Sequence, residues 1–226
     1  MPNNGTPKVA VITGASRGLG FALAKQLGLA GVQVVALART VGGLEELDDA
    51  IQKAGGPRAA LVPVDLASGH DQLDRLGATL HERFGKLDIF IHAAAMLGTL
   101  SPITHADPNE FQRVMNVNAT SCYRLFRSLD ALLRAANGAK VITMDCDLGD
   151  DTVSYWGPFR ASKALLQTMT ETYARESGNG GISVFSHTPQ PMATKLHATA
   201  FPGITSEFLA TPDDEASNII STYSLA

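Results

Sequence analysis

The chain has 226 residues, 45% of them hydrophobic, and a formal net charge of −4. That length suits one α/β domain with a full core, and that hydrophobic share excludes disorder for the bulk of the chain. The interspersed charge gives no reason to expect nucleic acid or an anionic membrane as partner. Two cysteines, Cys122 and Cys146, are too few for a disulfide framework and fit a reducing cytosol. Residues 1–8 are polar and no apolar run reaches about eighteen residues, so a soluble cytoplasmic protein is expected.

Residues 9–12 form a short apolar run that reads as a buried strand. Gly14, Gly18 and Gly20 follow it at G-x-x-x-G-x-G spacing, and Phe21, Ala22, Leu23, Leu27 and Leu29 continue in a pattern compatible with a helix. A strand, a glycine-rich turn and a helix in that order make a phosphate cradle. Glycines let the backbone approach the ligand, and helix N–H groups face its negative charge. The alternative is a structural turn that binds nothing.

Gly31 ends this helix, and 32–38 make a second buried strand. Helix-like spacing over 44–54 closes at Gly55-Gly56-Pro57. Residues 59–64 predict a third strand, 71–84 a helix ending at Gly85, and 87–92 a fourth strand. Two helical stretches, 108–115 and 118–136, precede a fifth strand at 140–144. A long helix over 158–177, a sixth strand at 182–186 and a final helix over 211–223 complete the pass. Alternation of strand and helix argues for a parallel sheet covered on both faces. With no repeats and no Pro- or Ser-rich linker, 1–226 reads as a single domain.

The turn Thr13-Gly14-x-x-x-Gly18-x-Gly20 resembles that of the short-chain dehydrogenase/reductase family. The resemblance covers nearly the whole chain: Asp65-Leu66, strand 87–92, Asn118 and Ala161-Ser162-Lys163 all fall in family order. Within the family, segments 92–102 and 192–202 resemble bacterial oxidoreductases of the YciK type. The resemblance implies a doubly wound parallel sheet, the Rossmann fold, in three layers with six or seven strands. Relatives commonly place a seventh strand after a helix such as 211–223.

It also implies a nicotinamide dinucleotide, held by Gly14, Ser16, Arg17, Gly18, Leu19 and Gly20 in the first turn. An NAD enzyme carries Asp or Glu at the end of the second strand, where it binds the ribose 2′-OH. This chain has Ala38 and then Arg39. Guanidinium groups pair with a 2′-phosphate through forked charge-assisted bonds, so Arg39 and Arg17 favour NADP(H). The alternative is that both are solvated surface charges. Asp65 and Leu66 fall where relatives contact the adenine, although Asp65 could instead cap a helix starting near Ser68. After the fourth strand, relatives show Asn-Asn-Ala-Gly. Here stands His92-Ala93-Ala94-Ala95, with His92 expected to be structural and Ala93 and Ala94 beside the nucleotide. Pro189 and Thr194 match the loop that binds the nicotinamide amide, although Gln190 replaces a glycine. Residues 193–208 would form a lid over the substrate.

Family chemistry moves a hydride between the nicotinamide and a carbonyl or alcohol carbon, with a tyrosine as proton partner. A lysine one helical turn later lowers the tyrosine's pKa and holds the ribose, since i and i+4 share a helix face. A serine about thirteen residues before the tyrosine binds the substrate oxygen, and an asparagine supports a proton-relay water. Asn118 and Lys163 fill two of these positions. The tyrosine position holds Phe159, which has no ionisable proton, and the serine position holds Cys146, a weak donor. Carbonyl or alcohol oxidoreduction is therefore expected to be impaired or altered, the alternative being a catalytically dead NADP(H)-binding sensor or interaction protein. Tyr155 is a candidate replacement acid or a wall of the pocket. Cys146 could act as a nucleophile, which Asp145 and Asp147 beside it would oppose. No metal is expected. Relatives pair through the helices at 118–136 and 158–177, which implies a homodimer or homotetramer with Leu125, Leu129, Leu132, Leu165 and Met169 as apolar contacts, the alternative being that all five face only their own sheet.

Overall fold

A computed structural model of the chain describes residues 7–146 and 154–226. Asp147 and the segment 1–6 lie outside the described residues. Six strands form one parallel sheet: β1 (Val9–Thr13), β2 (Gln33–Ala38), β3 (Ala60–Pro63), β4 (Ile89–His92), β5 (Lys140–Met144) and β6 (Ser183–His187). Their order is β3-β2-β1-β4-β5-β6, so the doubly wound architecture holds with six strands among the described residues. Among the described residues, eight α-helices accompany them: α1 (Gly18–Leu29), α2 (Val41–Lys53), α3 (His70–Phe84), α4 (Pro108–Met115), α5 (Ser121–Ala135), α6 (Gly157–Ser177), α7 (Lys195–Ala200) and α8 (Pro212–Thr222).

Side chains alternate across each strand, and the two faces build separate cores. Val9, Val11, Phe90 and Val141 pack with α3, α5 and α6. Ala10, Ile12, Ile89, Ile91 and Ile142 pack with α1, α2 and α8. Both faces being covered explains why β1 and β4 read as continuous apolar runs. α8 begins with a capping box, in which the Thr211 side chain accepts from the Asp214 N–H and Asp214 reaches back, with Pro212 in the first turn.

Two differences from the sequence reading bear on the site. The helix expected over 118–136 starts earlier, because α4 runs into a π-helical turn (Asn116–Thr120) and then into α5. A period of 3.6 cannot announce such a turn. The oligomer contacts also need correction: Leu125, Leu129 and Leu132 are buried in the chain's own core, because the apolar face of α5 meets α3 and the sheet. Met169 packs partly against the same core, while Leu165 is exposed.

Candidate active site

Strand order reverses between β1 and β4, and parallel strands end on the same side, so a crevice opens where both chains leave the sheet. Gly14 follows β1 with φ +70, and a Cβ there would stand 2.9 Å from the Ala94 backbone. Glycine alone satisfies both demands. At Gly20 an added Cβ would stand 2.4 Å from the Gly14 carbonyl oxygen, so α1 closes directly onto the turn. Arg17, the N-cap of α1, makes no side-chain cap bond, and the first helical turn carries no acid. The first N–H groups of α1 are thus left to an incoming anion. Ser16 lies against the start of α2, where a Cβ on Gly43 would meet its Cβ at 2.8 Å. Leu19 packs partly into the core behind the turn.

Arg17 and Arg39 are both exposed at this end, and neither has an ion-pair partner among the described residues. Asp65 spends its carboxylate locally, accepting from the Ala67 N–H at 3.0 Å and the Ser68 hydroxyl at 3.4 Å. It organises the turn ahead of α3 rather than capping a helix at Ser68, since α3 starts at His70 with Gly69 as N-cap. Leu66 is buried in the core.

His92 is a structural tie between β4, β1 and the turn at Asn118. Its Nδ1 lies 3.0 Å from the Thr13 hydroxyl on β1, and its Nε2 lies 3.3 Å from the Asn118 carbonyl. An unprotonated Nε2 facing a carbonyl would be repelled, so Nε2 carries the proton and Nδ1 accepts from Thr13. Burial, then the Lys163 charge, pushes the imidazole down to about 3. Thr13 also accepts from the Ala94 N–H at 3.2 Å, which holds Ala93-Ala94 beside Gly14.

Asn118 sits in the π-helical turn, fully buried. Its amide accepts from the Met96 N–H at 2.7 Å, donates to the Met96 carbonyl at 2.9 Å, and donates to the Ser162 hydroxyl at 2.9 Å. Ser162 in turn donates to the Phe159 carbonyl. Asn118 therefore joins the segment after β4 to α6 and fixes where α6 presents Phe159 and Lys163. Lys163 is buried and donates to the Met144 carbonyl at 2.7 Å. Burial holds its ammonium below the usual lysine range, and Cys146 and Asp145 partly offset that. Its Nζ lies 5.6 Å from the centre of the Phe159 ring. The one-turn spacing thus brings Lys163 and Phe159 together.

Phe159 is only 2% exposed. It belongs to a third apolar cluster with Leu97, Trp156 and Ala200, against which Cys146, Leu100, Leu196 and Phe201 pack. Cys146 lies just past β5, and its N–H is held by the Asp145 carboxylate at 2.8 Å. Tyr155 is 59% exposed, with φ 72, and its carbonyl accepts from the Ser101 N–H. A left-handed tyrosine is an uncommon, strained state of the kind that collects near functional sites.

Pro189 follows β6, half-buried. Thr194 accepts from the His197 N–H and so caps α7. The methyl of Thr194 lies 3.6 Å from where a Cβ on Gly18 would stand, so the loop after β6 meets the glycine turn. The segment 193–208 contains α7 and is closed at its base, where the Ala193 N–H donates to the Ala210 carbonyl beside a bridge between Met192 and Ala210. Sequence reasoning missed Leu97, Trp156 and Phe201. A signal existed for one of them: Trp156 is the chain's single tryptophan and stands three residues before Phe159.

The family described as short chain dehydrogenase matches residues 8–204, and the chain belongs to it. The chain is 33% identical over 196 residues to 3beta-hydroxysteroid dehydrogenase 1 of Eggerthella lenta, spanning 86% of this chain and 74% of that protein. It is 26% identical over 208 residues to the Escherichia coli oxidoreductase YciK, spanning 92% and 82%. A solved short chain dehydrogenase from Escherichia coli CFT073, complexed with NADPH, superposes with a TM-score of 0.87 at 26% identity, covering 96% of this chain and 88% of that one. The three-layer fold is therefore that of a short-chain oxidoreductase. Among the described residues, no helix is long and apolar enough to cross a membrane.

Proposed function

We propose that this chain binds NADP(H) and acts as a cytoplasmic short-chain oxidoreductase whose turnover of a small-molecule carbonyl or alcohol is strongly impaired. Support for the nucleotide comes from the cradle at Gly14, Gly18 and Gly20, the uncapped first turn of α1, the two exposed arginines, and the NADPH complex of a similar structure. The pyrophosphate would lie along Ser16 to Gly20, with Arg17 and Arg39 toward the 2′-phosphate. Asp65, Leu66, Ala93 and Ala94 would flank the adenosine half, and Lys163, Pro189 and Thr194 the nicotinamide half. A bound dinucleotide supplies or accepts the hydride.

The single observation that carries the reading is the buried Phe159 ring beside Lys163. The family's proton donor is replaced by a ring with no exchangeable proton, and Cys146 offers only a weak donor in place of serine. A proton would then have to come from water or from another group such as Tyr155, since the Phe159 ring supplies none. Titrating the protein with NADPH and NADH by nucleotide fluorescence, then assaying carbonyl reduction on the same sample, tests both halves. Tight NADPH binding with slow reduction is expected, and fast reduction by the native protein refutes the impairment. Binding with no turnover at all would favour a nucleotide-dependent sensor. Self-association into a dimer or tetramer through the outer faces of α5 and α6, which carry exposed Tyr123 and Leu165, completes the proposal.

A further inference from the structure

Beyond the nucleotide half, the site is lined by carbon. Trp156 and Phe159 meet edge-to-face with centroids 5.9 Å apart, and Phe201, from the loop that follows β6, lies against Trp156 at 5.5 Å with the planes 35° apart. This cluster belongs to neither of the cores on the two sheet faces. Apolar surface continues outward from it. Ile103 packs so closely on Gly157 that a Cβ there would stand 2.4 Å from its terminal methyl, yet Ile103 remains exposed. Tyr155, Ile204 and Phe208 are exposed as well, Phe208 at 87%. Half of the eight exposed large hydrophobic residues among those described therefore lie on the three segments that border one small cluster: Ile103 after β4, Tyr155 just before α6, and Ile204 and Phe208 after α7. Exposed apolar side chains gathered beside a buried aromatic cluster mark a binding surface.

We propose that this corner recognises an apolar, ring-bearing carbonyl or alcohol compound, and that the ligand's ring takes the place against Trp156 that the Phe201 side chain holds in this structure. The inference rests on the proposed assignment of this site as the substrate pocket of an NADP(H) oxidoreductase. Phe201 itself shows what the surface accepts: a flat ring tilted against the indole, a geometry that aromatic pairs favour. The loop carrying Phe201 is tied at its base between residues 192 and 210, so it can yield without disturbing β6. Phe159 extends the apolar floor where a tyrosine would have set a hydroxyl. A sugar-like or charged substrate would bury its polar groups there without partners, whereas a hydrocarbon ring would not. At the inner edge, Lys163 and Cys146 border the cluster and give the ligand's oxygen a place to end.

Trp156 is the chain's only tryptophan, so its emission reads this corner and nothing else. The experiment titrates the full chain with 4-phenyl-2-butanone and, separately, with hydroxyacetone, with and without saturating NADPH. A saturable change in Trp156 emission with the phenyl ketone and none with hydroxyacetone is expected. Phe201→Ala should tighten the phenyl ketone by about tenfold, since the ring no longer competes for the surface. Phe208→Ala, at an exposed position where folding is not at stake, should weaken it severalfold. Equal responses to the two ketones, no response to either, or a folded Phe201→Ala protein that binds the phenyl ketone more weakly overturns the proposal. NADPH binding is followed on the same samples by nicotinamide fluorescence. NADPH binding without a response to the phenyl ketone sinks this inference alone, and a ketone response without NADPH binding sinks the cofactor assignment alone.

Discussion

The double substitution Phe159→Tyr with Cys146→Ser puts the missing hydroxyl groups back into a frame that is otherwise assembled. Lys163 already stands 5.6 Å from the ring centre, and Asn118 already locks the segment after β4 to α6. General acid–base assistance is typically worth about 10²–10⁴ in rate, and one donor to a developing oxyanion about 10²–10³. The two contributions act on one oxygen and will not multiply fully. A gain of roughly 10³ in kcat/KM for a carbonyl substrate is the reasonable expectation. Folding sets a limit, because Phe159 is 2% exposed and a buried hydroxyl without a partner costs about 1–3 kcal/mol. In a domain of this size that corresponds to a melting temperature lower by about 2–12 °C, a loss that shrinks if the new phenol bonds to Lys163. The assay is NADPH oxidation at 340 nm with 4-phenyl-2-butanone and a panel of other carbonyls (the wavelength is roughly that of reduced nicotinamide absorption). A folded double variant that binds NADPH yet gains nothing refutes the view that these hydroxyls limit the chemistry. A native protein already fast, and slowed by Tyr155→Phe, refutes it from the other side.

Four further outcomes follow from the geometry. Ala38→Asp with Arg39→Ser should weaken NADPH by about 10–100-fold, the worth of one or two charge-assisted bonds, and improve NADH, read by fluorescence titration; a native preference for NADH would contradict the charge argument. Gly20→Ala should lower both nucleotide binding and melting temperature, because its methyl would sit 2.4 Å from the Gly14 carbonyl, and an unshifted calorimetric transition would show that the turn can give way. His92 is held neutral, its pKa pushed to about 3 from 6.5 when unfolded. The unfolded chain therefore binds more protons below pH 6.5, and stability should fall as pH drops from there toward 3, with a slope reaching about 1.4 kcal/mol per pH unit. In His92→Asn that component should vanish from denaturant titrations; an unchanged profile would assign acid lability elsewhere. Light scattering at tens of micromolar, about the range where an interface of ordinary size holds, should show a dimer or tetramer that Leu165→Glu with Tyr123→Glu dissociates, and a native monomer would end that proposal.

The nucleotide half was legible in the sequence because it is built from backbone. Gly14, Gly18 and Gly20 are required by φ values and close approaches, and such demands leave a mark at fixed spacing. Lys163 and Phe159 were legible for a similar reason, since one helical turn separates them. What stayed hidden depends on contacts distant in sequence. The His92 bridge joins residues 79 and 26 positions apart, and no local pattern encodes its partners. The π-helical turn at Asn118 is a departure from helical periodicity, and so periodicity reads through it. Leu125, Leu129 and Leu132 carried apolar spacing that a core and an interface produce equally well. Only packing against α3 and the sheet decided between them.

The division between a backbone-built half and a side-chain-built half has a mechanistic consequence. Removing a glycine from the turn disturbs the fold itself, because Gly14 and Gly20 hold β1, α1 and the Ala94 segment in contact. Exchanging Tyr for Phe at 159 deletes one oxygen from a ring that packs equally well against Trp156. Chemistry can therefore be lost at almost no structural cost, while the capacity to hold a nucleotide persists as long as the protein folds. Under the proposed function, two substitutions separate this chain from a competent catalyst. The prediction that reversing them restores turnover without altering NADPH affinity distinguishes that history from a pocket reshaped around Gln190 and the lid, in which affinity and specificity would shift together. Measuring NADPH affinity in the native chain and in the double variant therefore tests the separation directly: a change of more than about threefold, beyond what hydroxyls that do not bond the nucleotide should cause, would show that the two halves are coupled.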